Sequence, residues 1–237
     1  SSNSAYSELG YSVAVDGSGN VVVSGHFTAS TVTFGAVTLN NRTVGGGYSD
    51  MFVVKYDTNG NVLWANTAGG SRNDLGLAVA ADASGNVYVT GEFRSQTITF
   101  GSNTYNNAVA STNPPADIYL AKYDASGTAQ WQLVFGGTST DNVTGICTDA
   151  TGKVSFTGYF SSPSIDFETT TLTLTGNADI FTAQYDDNGF LQWVSEINGS
   201  TFGSSTTLQA NDITADANGN LYIVGTFCTY NISFAST

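Results

Sequence analysis

Seven Asp-x-x-Gly segments form the pattern in this sequence that most resembles a metal-binding motif. The segment Asp57-Thr58-Asn59-Gly60-Asn61 places oxygen atoms at alternate positions, as the first half of an EF-hand calcium loop does. An EF-hand also needs a bidentate acid at its twelfth position, and the twelfth residue from each of the seven Asp is Phe, Ala or Ile. We therefore predict hairpin turns, no metal and no cofactor. A calcium site formed by residues from different loops remains an alternative. The seven turns start at Asp16, Asp57, Asp82, Asp124, Asp149, Asp186 and Asp216.

Patterns for nucleophilic, zinc or phosphate chemistry are poorly represented. A Ser-His-Asp triad would need His26, the single histidine of the chain, and no Gly-x-Ser-x-Gly segment exists. That histidine with Cys147 and Cys228 cannot form a zinc cluster, and two cysteines are too few for a disulfide framework. The run 45–47 of three glycines is followed by neither Lys-Ser/Thr nor a helix start, so we predict a loop. We expect no catalytic residue and no enzyme.

Glycoside hydrolysis is the catalytic alternative, because it needs only two carboxylates at a fixed separation and the chain has 19 acids. The acids outside the turns, and outside the starts of the third strands defined below, are Glu8, Asp74, Glu92, Asp141, Asp166, Glu168, Glu196 and Asp212. Asp74 and Asp141 occupy equivalent places in the repeat described next, and for them we expect a structural role in the loops.

The elements that position these residues belong to an internal repeat. The segment VAVDGSGNVVVSGHF (13–27) recurs three times, and its Asp is spaced by 66, 67 and 67 residues. A glycine and a phenylalanine that follow keep the same spacing. These structural repeat positions are Asp16, Asp82, Asp149 and Asp216; Gly25, Gly91, Gly158 and Gly225; and Phe27, Phe93, Phe160 and Phe227.

A second module, DMFVVKYDTNGNVLW (50–64), recurs at 117–131 and 179–193 and ends each time on a tryptophan, namely Trp64, Trp131 or Trp193. The chain thus contains three full units of about 66 residues and roughly half of a fourth. Their approximate bounds are 8–70, 74–137, 141–199 and 208–237.

Each unit has the pattern of four β-strands, which we call A to D. Strands A and B flank the first Asp-Gly turn, and strands C and D flank the second. Alternation with period two and turns at these intervals predict antiparallel sheet. One such sheet cannot bury its own faces, so we predict an all-β fold in which four-stranded blades pack around an axis as a β-propeller. An open β-solenoid is the alternative, although its repeats are usually much shorter.

We expect residues 1–237 to form a single propeller domain that is a segment of a larger ring. Propellers close with about four to eight blades. Three and a half units therefore predict part of a ring of about six to eight blades. The chain would be continuous with further blades or domains, or be completed by another chain.

The repeat resembles the SBBP family of bacterial β-propeller repeats. The resemblance rests on Asp82–Gly91, Asp50–Trp64 and Gly69–Gly70, and it covers nearly the whole chain. It implies a β-propeller, often on secreted or surface proteins of bacteria. It implies no catalytic set, because the family is defined by its structural repeat.

The charge excludes several partners. Six Lys and Arg against 19 Asp and Glu give a net charge of -13, which opposes nucleic acid and anionic membrane surfaces. No run approaches 18 apolar residues, so we expect no membrane insertion. A weakly charged chain rich in Ser, Thr and Asn, together with the resemblance, predicts a secreted or bacterial cell-surface location.

Binding is expected on the face that carries the B–C and D–A connections, because these are long and diverge between units whereas the Asp-Gly turns are nearly identical. A variable position at the end of strand B opens onto this face; it is taken by His26, Glu92, Tyr159 and Thr226. We expect His26 to be a surface residue at the strand end. Arg94, Tyr48 and Tyr105 are further candidates. The sequence predicts a non-catalytic module, adhesin-like or secreted cargo, that binds surface or secretion-machinery proteins or glycans. A carbohydrate-active or glycan-binding propeller is the alternative.

Overall fold

The computed structural model describes residues 7–43, 47–199, 208–227 and 232–234. Its regular structure in these ranges is entirely β, with antiparallel pairing throughout, as the sequence predicted. Within the same ranges no helix has the length and apolar character to cross a membrane. Cys228, residues 45 and 46 of the glycine run, and most of the third D–A connection lie outside the described residues.

Strands A to D of the three full units pair in that order within each sheet. Unit 1 has β1 (Glu8–Val15) and β2 (Val21–Phe27), a short hairpin of β3 (Thr31–Phe34) and β4 (Val37–Asn40), then β5 (Asp50–Tyr56) and β6 (Val62–Gly69). Unit 2 has β7 (Asp74–Ala81), β8 (Val87–Phe93), β9 (Thr97–Phe100), β10 (Asn103–Asn106), β11 (Asp117–Tyr123) and β12 (Ala129–Phe135). Unit 3 has β13 (Asp141–Thr148), β14 (Val154–Phe160), β15 (Ser164–Phe167), β16 (Thr170–Thr173), β17 (Asp179–Tyr185) and β18 (Leu191–Gly199). The fourth unit has β19 (Leu208–Ala215), β20 (Leu221–Phe227) and β21 (Ile232–Phe234).

The sheets follow one another as expected for a β-propeller. Strands A of successive units, β1, β7, β13 and β19, lie next to one another, so each unit contacts its neighbours through its first strand. The described strands therefore fit a propeller arrangement of repeated antiparallel sheets.

The B–C connections are not the plain long loops that the sequence predicted. Each of the first three contains a hairpin of two four-residue strands. Alternation of Thr with apolar residues, as in Thr97-Ile98-Thr99-Phe100, gives one face that can be buried. β9 also pairs with β6 of the preceding unit, Ala68 with Phe100 and Gly69 with Thr99. Within the described chain, β21 pairs with β18 in the same way. Among the described strands, β9 and β21 thus join neighbouring units by backbone pairing.

The Asp-Gly segments form hairpin turns that satisfy their own carboxylates. Oδ1 of Asp57 accepts the backbone N–H of Asn59 at 2.9 Å and of Asn61 at 2.8 Å, and Oδ2 accepts the Asn61 side chain at 2.8 Å. Gly60 takes a φ of 83°, which closes the turn without steric cost for a residue that lacks Cβ. The side chain and backbone of Asn61 lower the pKa of Asp57 by bonding its charged form.

Two tryptophans of strand D, Trp64 and Trp131, join their units to the next. Nε1 of Trp64 donates to the carbonyl of Ala125 at 3.1 Å, and Nε1 of Trp131 donates to the carbonyl of Asp187 at the same distance. Both acceptors lie in the C–D turn of the following unit. The indole of Trp64 packs on Gly127, where a Cβ would lie 2.6 Å from the ring. These contacts combine apolar burial with a satisfied donor, which is how buried tryptophan is best accommodated.

Aromatic side chains fill the spaces between sheets. The repeated Phe27, Phe93 and Phe160 are completely buried. Between units 2 and 3, Phe135 stacks on Phe167 of the short hairpin with ring centroids 5.0 Å apart. Adjacent sheets and the hairpins therefore share one apolar core at each junction.

The repeated glycine of strand B stands where two backbones come very close. A Cβ on Gly25 would lie 1.9 Å from the carbonyl oxygen of Leu9, and the equivalents at Gly91 and Gly158 meet carbonyl oxygens at 1.8 and 2.0 Å. A shift in strand register occurs beside each of these positions. The bulge brings strand A against strand B, and only glycine leaves room for it.

The Asp that begins strand C is buried against the glycine pair at the end of strand D. The Asp117 carboxylate occupies the place of a Cβ on Gly136, at 2.1 Å, and Asp50 does the same at Gly69, at 2.2 Å. Asp117 Oδ2 accepts the N–H of Ala108 at 2.6 Å, while its Oδ1 has no hydrogen-bond partner among the described residues. Burial raises the pKa of both Asp50 and Asp117 to about 7.

Gly25→Ala should destabilise the protein by about 3 kcal/mol or more, because its methyl group would overlap a backbone carbonyl oxygen that cannot move alone. Gly10→Ala is the matched control, since Gly10 pairs with Gly25 across the same strands. Its Cβ would have only ordinary contact with Val23, at 3.5 Å. The free energy of unfolding from urea titration should be nearly unchanged for Gly10→Ala. Equal losses in the two variants would contradict the close approach.

Asp117→Asn should weaken the pH dependence of stability between pH 5 and 8. The folded pKa of Asp117, about 7, lies above its unfolded value, so its contribution is fully present below about pH 4 and is lost as pH rises through 7. The stability of the unmodified protein should therefore fall with rising pH, by up to about 1.4 kcal/mol per pH unit for this group. The asparagine variant should lose that component of the slope in urea titrations at pH 5, 6, 7 and 8.

Asp124→Asn provides the control for this titration. The Ser126 side chain and neighbouring backbone N–H groups lower the pKa of Asp124, so it is ionised in both folded and unfolded chains across the same range. The slope between pH 5 and 8 should be that of the unmodified protein. An Asp117→Asn variant that keeps the full slope would refute the assignment.

Candidate functional site

The variable position at the end of strand B lies opposite the start of strand A in every unit. His26 pairs with Leu9, Glu92 with Leu75 and Tyr159 with Asn142. Because strands A of neighbouring units lie side by side, these positions are brought toward one another on the face that carries the B–C and D–A connections.

His26 is buried, which corrects the expectation of a surface residue. It is 7% exposed, and its ring lies against Tyr11 with centroids 5.4 Å apart. Burial lowers the pKa of His26, while the Glu8 carboxylate opposes that shift. Tyr11, on strand A, lies against His26 and is 45% exposed, so it presents the accessible side chain here. It was not identified as a candidate from the sequence.

Glu92 and Arg94 form an ion pair at the centre of the face. Nε of Arg94 lies 3.5 Å from Oε1 of Glu92, and the side chains are 40% and 12% exposed, respectively. Burial raises the pKa of Glu92 and the guanidinium of Arg94 opposes the shift. Burial and then the field of Glu92 raise the pKa of Tyr11 in unit 1 and of Tyr159 in unit 3. The Glu92 carboxylate therefore lies near residues from both neighbouring units.

We call Tyr11, His26, Glu92, Arg94 and Tyr159 the strand-end cluster. It combines one carboxylate, one partly exposed guanidinium and two phenols, with a buried imidazole beneath Tyr11. Such groups can donate and accept hydrogen bonds and stack on a flat ligand.

Asp74 fixes the backbone of the chain at Arg94 and Ser95, beside the strand-end cluster. It is fully buried, and it accepts bonds from Ser95 Oγ at 2.7 Å and from the backbone N–H groups of Arg94 and Ser95 at 3.2 Å. Asp141 holds Ser161 and Ser162 in the same way in the next unit. Both acids thus hold the chain that leaves strand B, which is the structural role expected for them.

Tyr48 belongs to a different contact, centred on Arg72. The guanidinium of Arg72 lies 4.7 Å from the centroid of the Tyr48 ring and bonds its hydroxyl. Nε of Arg72 also donates to the carbonyl of Thr112 at 3.0 Å. Arg72 was missed from the sequence. It is one of only six basic residues in the chain and lies two positions after the Gly69-Gly70 pair, which is a signal that could have identified it.

Tyr105 and Thr226 lie outside the strand-end cluster. The hydroxyl of Tyr105, on the hairpin strand β10, bonds Gln132 on strand D at 3.3 Å. Thr226, on β20, lines a groove between units 3 and 4. The structure therefore brings together four of the seven predicted binding residues.

A carboxyl pair in unit 3 has no counterpart in the other units. Burial and then the neighbouring Asp179 raise the pKa of Glu196 to about 7. The equivalent positions are Thr67 and Val134, counted from the tryptophan of each unit. Glu196 and Asp179 are both buried, so the sheet encloses the pair and a ligand at the surface would not reach it.

The opposite face consists of the Asp-Gly turns. Lys55 is completely buried there, with Nζ 2.8 Å from Asp16 Oδ2 and 2.8 Å from the carbonyl of Gly85 in the next unit. Lys122, the equivalent lysine of unit 2, bonds Asp187 of unit 3, and Asp187 lines a pocket of about 280 Å³ together with Asp82 and Asp149. Across the described ranges, no three His, Cys, Asp or Glu side chains are grouped as a metal site requires. The cations at this face are the lysines themselves.

Cys147 is a free thiol within the described part of the chain. Burial, followed by Asp149 and Asp212, raises the pKa of Cys147 to about 12. The thiol is therefore protonated at neutral pH and a weak nucleophile.

Comparison with known proteins supports the repeat. The "Uncharacterized WD repeat-containing protein L264" of Acanthamoeba polyphaga mimivirus is 28% identical over 78% of this chain. The "Regulatory protein FlaEY" of Caulobacter vibrioides is 29% identical over 52% of this chain. The chain spans about 15% and 13% of the lengths of these two relatives.

The family model of the SBBP β-propeller repeat matches residues 192–226. The match runs from the end of unit 3, beside Trp193, through strands A and B of the fourth unit. The resemblance predicted from the sequence is thereby confirmed for residues 192–226.

Proposed function

We propose that the chain is a non-catalytic interaction module that recognises a protein or glycan ligand through the strand-end cluster and the loops around it. The repeat family and the relative named for WD repeats support a protein-interaction role in general terms. The other relative is named as a regulatory protein, which is compatible with such a role.

The observation that carries this proposal is the contrast between the two faces. On the turn face, the charged groups are occupied: the Asp carboxylates bond their own turns, and Lys55 and Lys122 bond Asp16 and Asp187. On the loop face, Arg94 remains 40% exposed and faces Glu92 at 3.5 Å, a distance that leaves its other N–H groups able to bind a ligand. A rigid sheet thus presents variable polar groups on one side.

The chemistry of the cluster indicates the ligand. Arg94 can bond a carboxylate or amide oxygen with two parallel N–H groups, and Glu92 can accept from an N–H or hydroxyl of the same ligand. Tyr11 and Tyr159 offer aromatic faces on either side. An extended peptide loop, or a glycan with an acidic sugar, would satisfy all of these groups.

We infer the wider setting from the same features. The chain would be one propeller domain of four-stranded blades, part of a ring of about six to eight. The protein would be secreted or displayed on a bacterial surface, as an adhesin-like or cargo protein. The predominance of Ser, Thr, Asn and Gly over charged residues supports that location.

A carbohydrate-active propeller is the second candidate, and one observation favours it. Burial raises the pKa of Glu92, as in a general acid, and aromatic rings lie beside it. This function needs a second carboxylate across the ligand, and Glu8, near His26, is the candidate in the described structure.

Arg94→Gln should weaken ligand binding by about tenfold or more, because a charge-assisted hydrogen bond contributes about 1.5–3 kcal/mol. A photo-crosslinking residue in place of Gln96, which is exposed beside Arg94, in cells that produce the protein, would identify a protein ligand, and a glycan array would identify a sugar. Affinity is then measured by calorimetry. Lys153→Gln is the control: it removes one positive charge on the turn face, and it should change affinity less than twofold.

Two outcomes would contradict the proposal. If Lys153→Gln weakens binding more than Arg94→Gln does, the recognition face is wrong. If a glycan ligand is hydrolysed and Glu92→Gln abolishes that turnover, the carbohydrate-active alternative is correct. The melting temperature of Arg94→Gln should stay near that of the unmodified protein, which shows that the loss is not one of folding.

A further inference from the structure

Strand B of the fourth unit, β20, has one unpaired edge. In each of the three full units, strand B pairs with strand A on one side and with strand C, over seven residues, on the other. Among the described strands, β20 pairs with β19 alone. Its second edge therefore presents a row of backbone N–H and C=O groups that can accept another strand.

The side chains of β20 are much more exposed than their equivalents in the three full units. Phe227 is 60% exposed, whereas the equivalent Phe27, Phe93 and Phe160 are 0% exposed. Tyr222 is 58% exposed, whereas the equivalent Tyr88 is 0% exposed. The loss of burial extends along the whole strand, so the gap beside it has the length of a full strand.

An apolar groove of about 630 Å³ lies between β20 and unit 3. Its lining includes Ile180, Trp193 and Ile197 of unit 3 and Leu221, Ile223 and Phe227 of the fourth unit. At the junction of units 1 and 2, the equivalent space is filled by alternate side chains of strand C, namely Tyr119, Ala121 and Tyr123. The fourth unit is already seated on unit 3, since β21 pairs with β18 as β9 pairs with β6.

Trp193, in the groove, has a donor that is used differently from its equivalents. Nε1 of Trp193 bonds Gln184 of its own unit at 3.2 Å. Trp64 and Trp131 instead donate to a carbonyl in the C–D turn of the next unit. The groove therefore contains the indole of Trp193, and the equivalent indoles at the other two junctions bond a C–D turn of the next unit.

We propose that this groove binds a strand–turn–strand segment with the C–D pattern of the repeat, Asp-apolar-aromatic-x-Ala/Val-x-Tyr followed by an Asp-x-x-Gly turn. The first strand would add to β20 in antiparallel orientation, a mode of recognition in which backbone bonds give affinity and alternate side chains give specificity. This site is separate from the strand-end cluster and does not depend on it.

The other units fix the register of the bound segment. Its Asp lies opposite Phe227 and its Tyr opposite Leu221, as Asp117 lies opposite Phe93 and Tyr123 opposite Val87. Its aromatic residue lies opposite Gly225. The equivalent Tyr119 lies over Gly91, where a Cβ would be 2.7 Å from the tyrosine hydroxyl. Gly225 therefore provides the seat for that aromatic ring.

A second intact copy of this chain does not provide the occupant. In each full unit, strand C is paired on both edges, with strand B and strand D. It could enter the groove only if its own sheet opened. The occupant is therefore a segment of this pattern that is not already paired.

A synthetic peptide with the sequence of residues 117–131, DIYLAKYDASGTAQW, tests the proposal against the full chain. It should bind in fluorescence anisotropy titrations, and it should slow the hydrogen exchange of the amides of β20 that are not bonded to β19. The Tyr119→Ser peptide should bind at least tenfold more weakly, because that ring enters the groove. Leu120→Ser is the matched control, since Leu120 points to the opposite face of the sheet, and it should bind within about twofold.

Three results would overturn the proposal. The first is no binding of the unmodified peptide at about 1 mM, since an affinity weaker than that leaves about 4 kcal/mol or less for a full strand. The second is an equal loss for the two serine peptides, which would mean that the groove does not select alternate side chains. The third is protection of β20 in a dimer of the chain without peptide, which would identify a second copy as the occupant.

Discussion

The fold depends on the inability of one small sheet to cover its own faces. One face of strand C packs against the sheet of the preceding unit, and the other face packs against the sheet of the next unit. The tryptophan of strand D adds a directional bond to this apolar contact, because its indole N–H reaches a carbonyl that exists only when the next turn is in place. Stability in such an arrangement is a sum over neighbouring pairs, so each junction strengthens the two units that form it.

The two faces of the arrangement follow from this constraint. The turns that pack beneath a neighbouring tryptophan share the Asp-x-x-Gly pattern, and their Asp carboxylates accept hydrogen bonds from their own backbone. The connections on the other face contact a neighbour through the short strand β9 and through single contacts such as that of Arg72 with Tyr48, and the strand-end residues between them differ from unit to unit. The units therefore differ most in sequence at positions that do not pack in the junctions between units.

The regular part of the structure could be predicted because spacing and turn chemistry are local. The period of 66–67 residues located strands A to D, and Asp-x-x-Gly located the turns. The hairpins of the B–C connections could not be predicted, because four alternating residues gain their burial only from other strands, as Phe34 does from Phe52 and Phe167 from Phe135. The burial of His26 and the contact of Arg72 with Tyr48 also depend on residues from other elements. Four of the seven candidate binding residues converge. Thr226 has the same repeat position but belongs to the fourth unit, whereas Tyr48 and Tyr105 were predicted by residue type without information on position.

The buried acids at the start of strand C also affect the charge of the protein. The formal net charge of -13 counts every carboxyl group as ionised. Asp50, Asp117 and Glu196 each have a pKa near 7 because the folded chain encloses them, so at neutral pH they are protonated for part of the time. Folding therefore takes up protons from solution, and the folded molecule carries fewer negative charges than its sequence implies. The negative electrostatic field around the folded protein is therefore weaker at neutral pH than its composition indicates. That field strengthens as the pH rises and these carboxyl groups ionise.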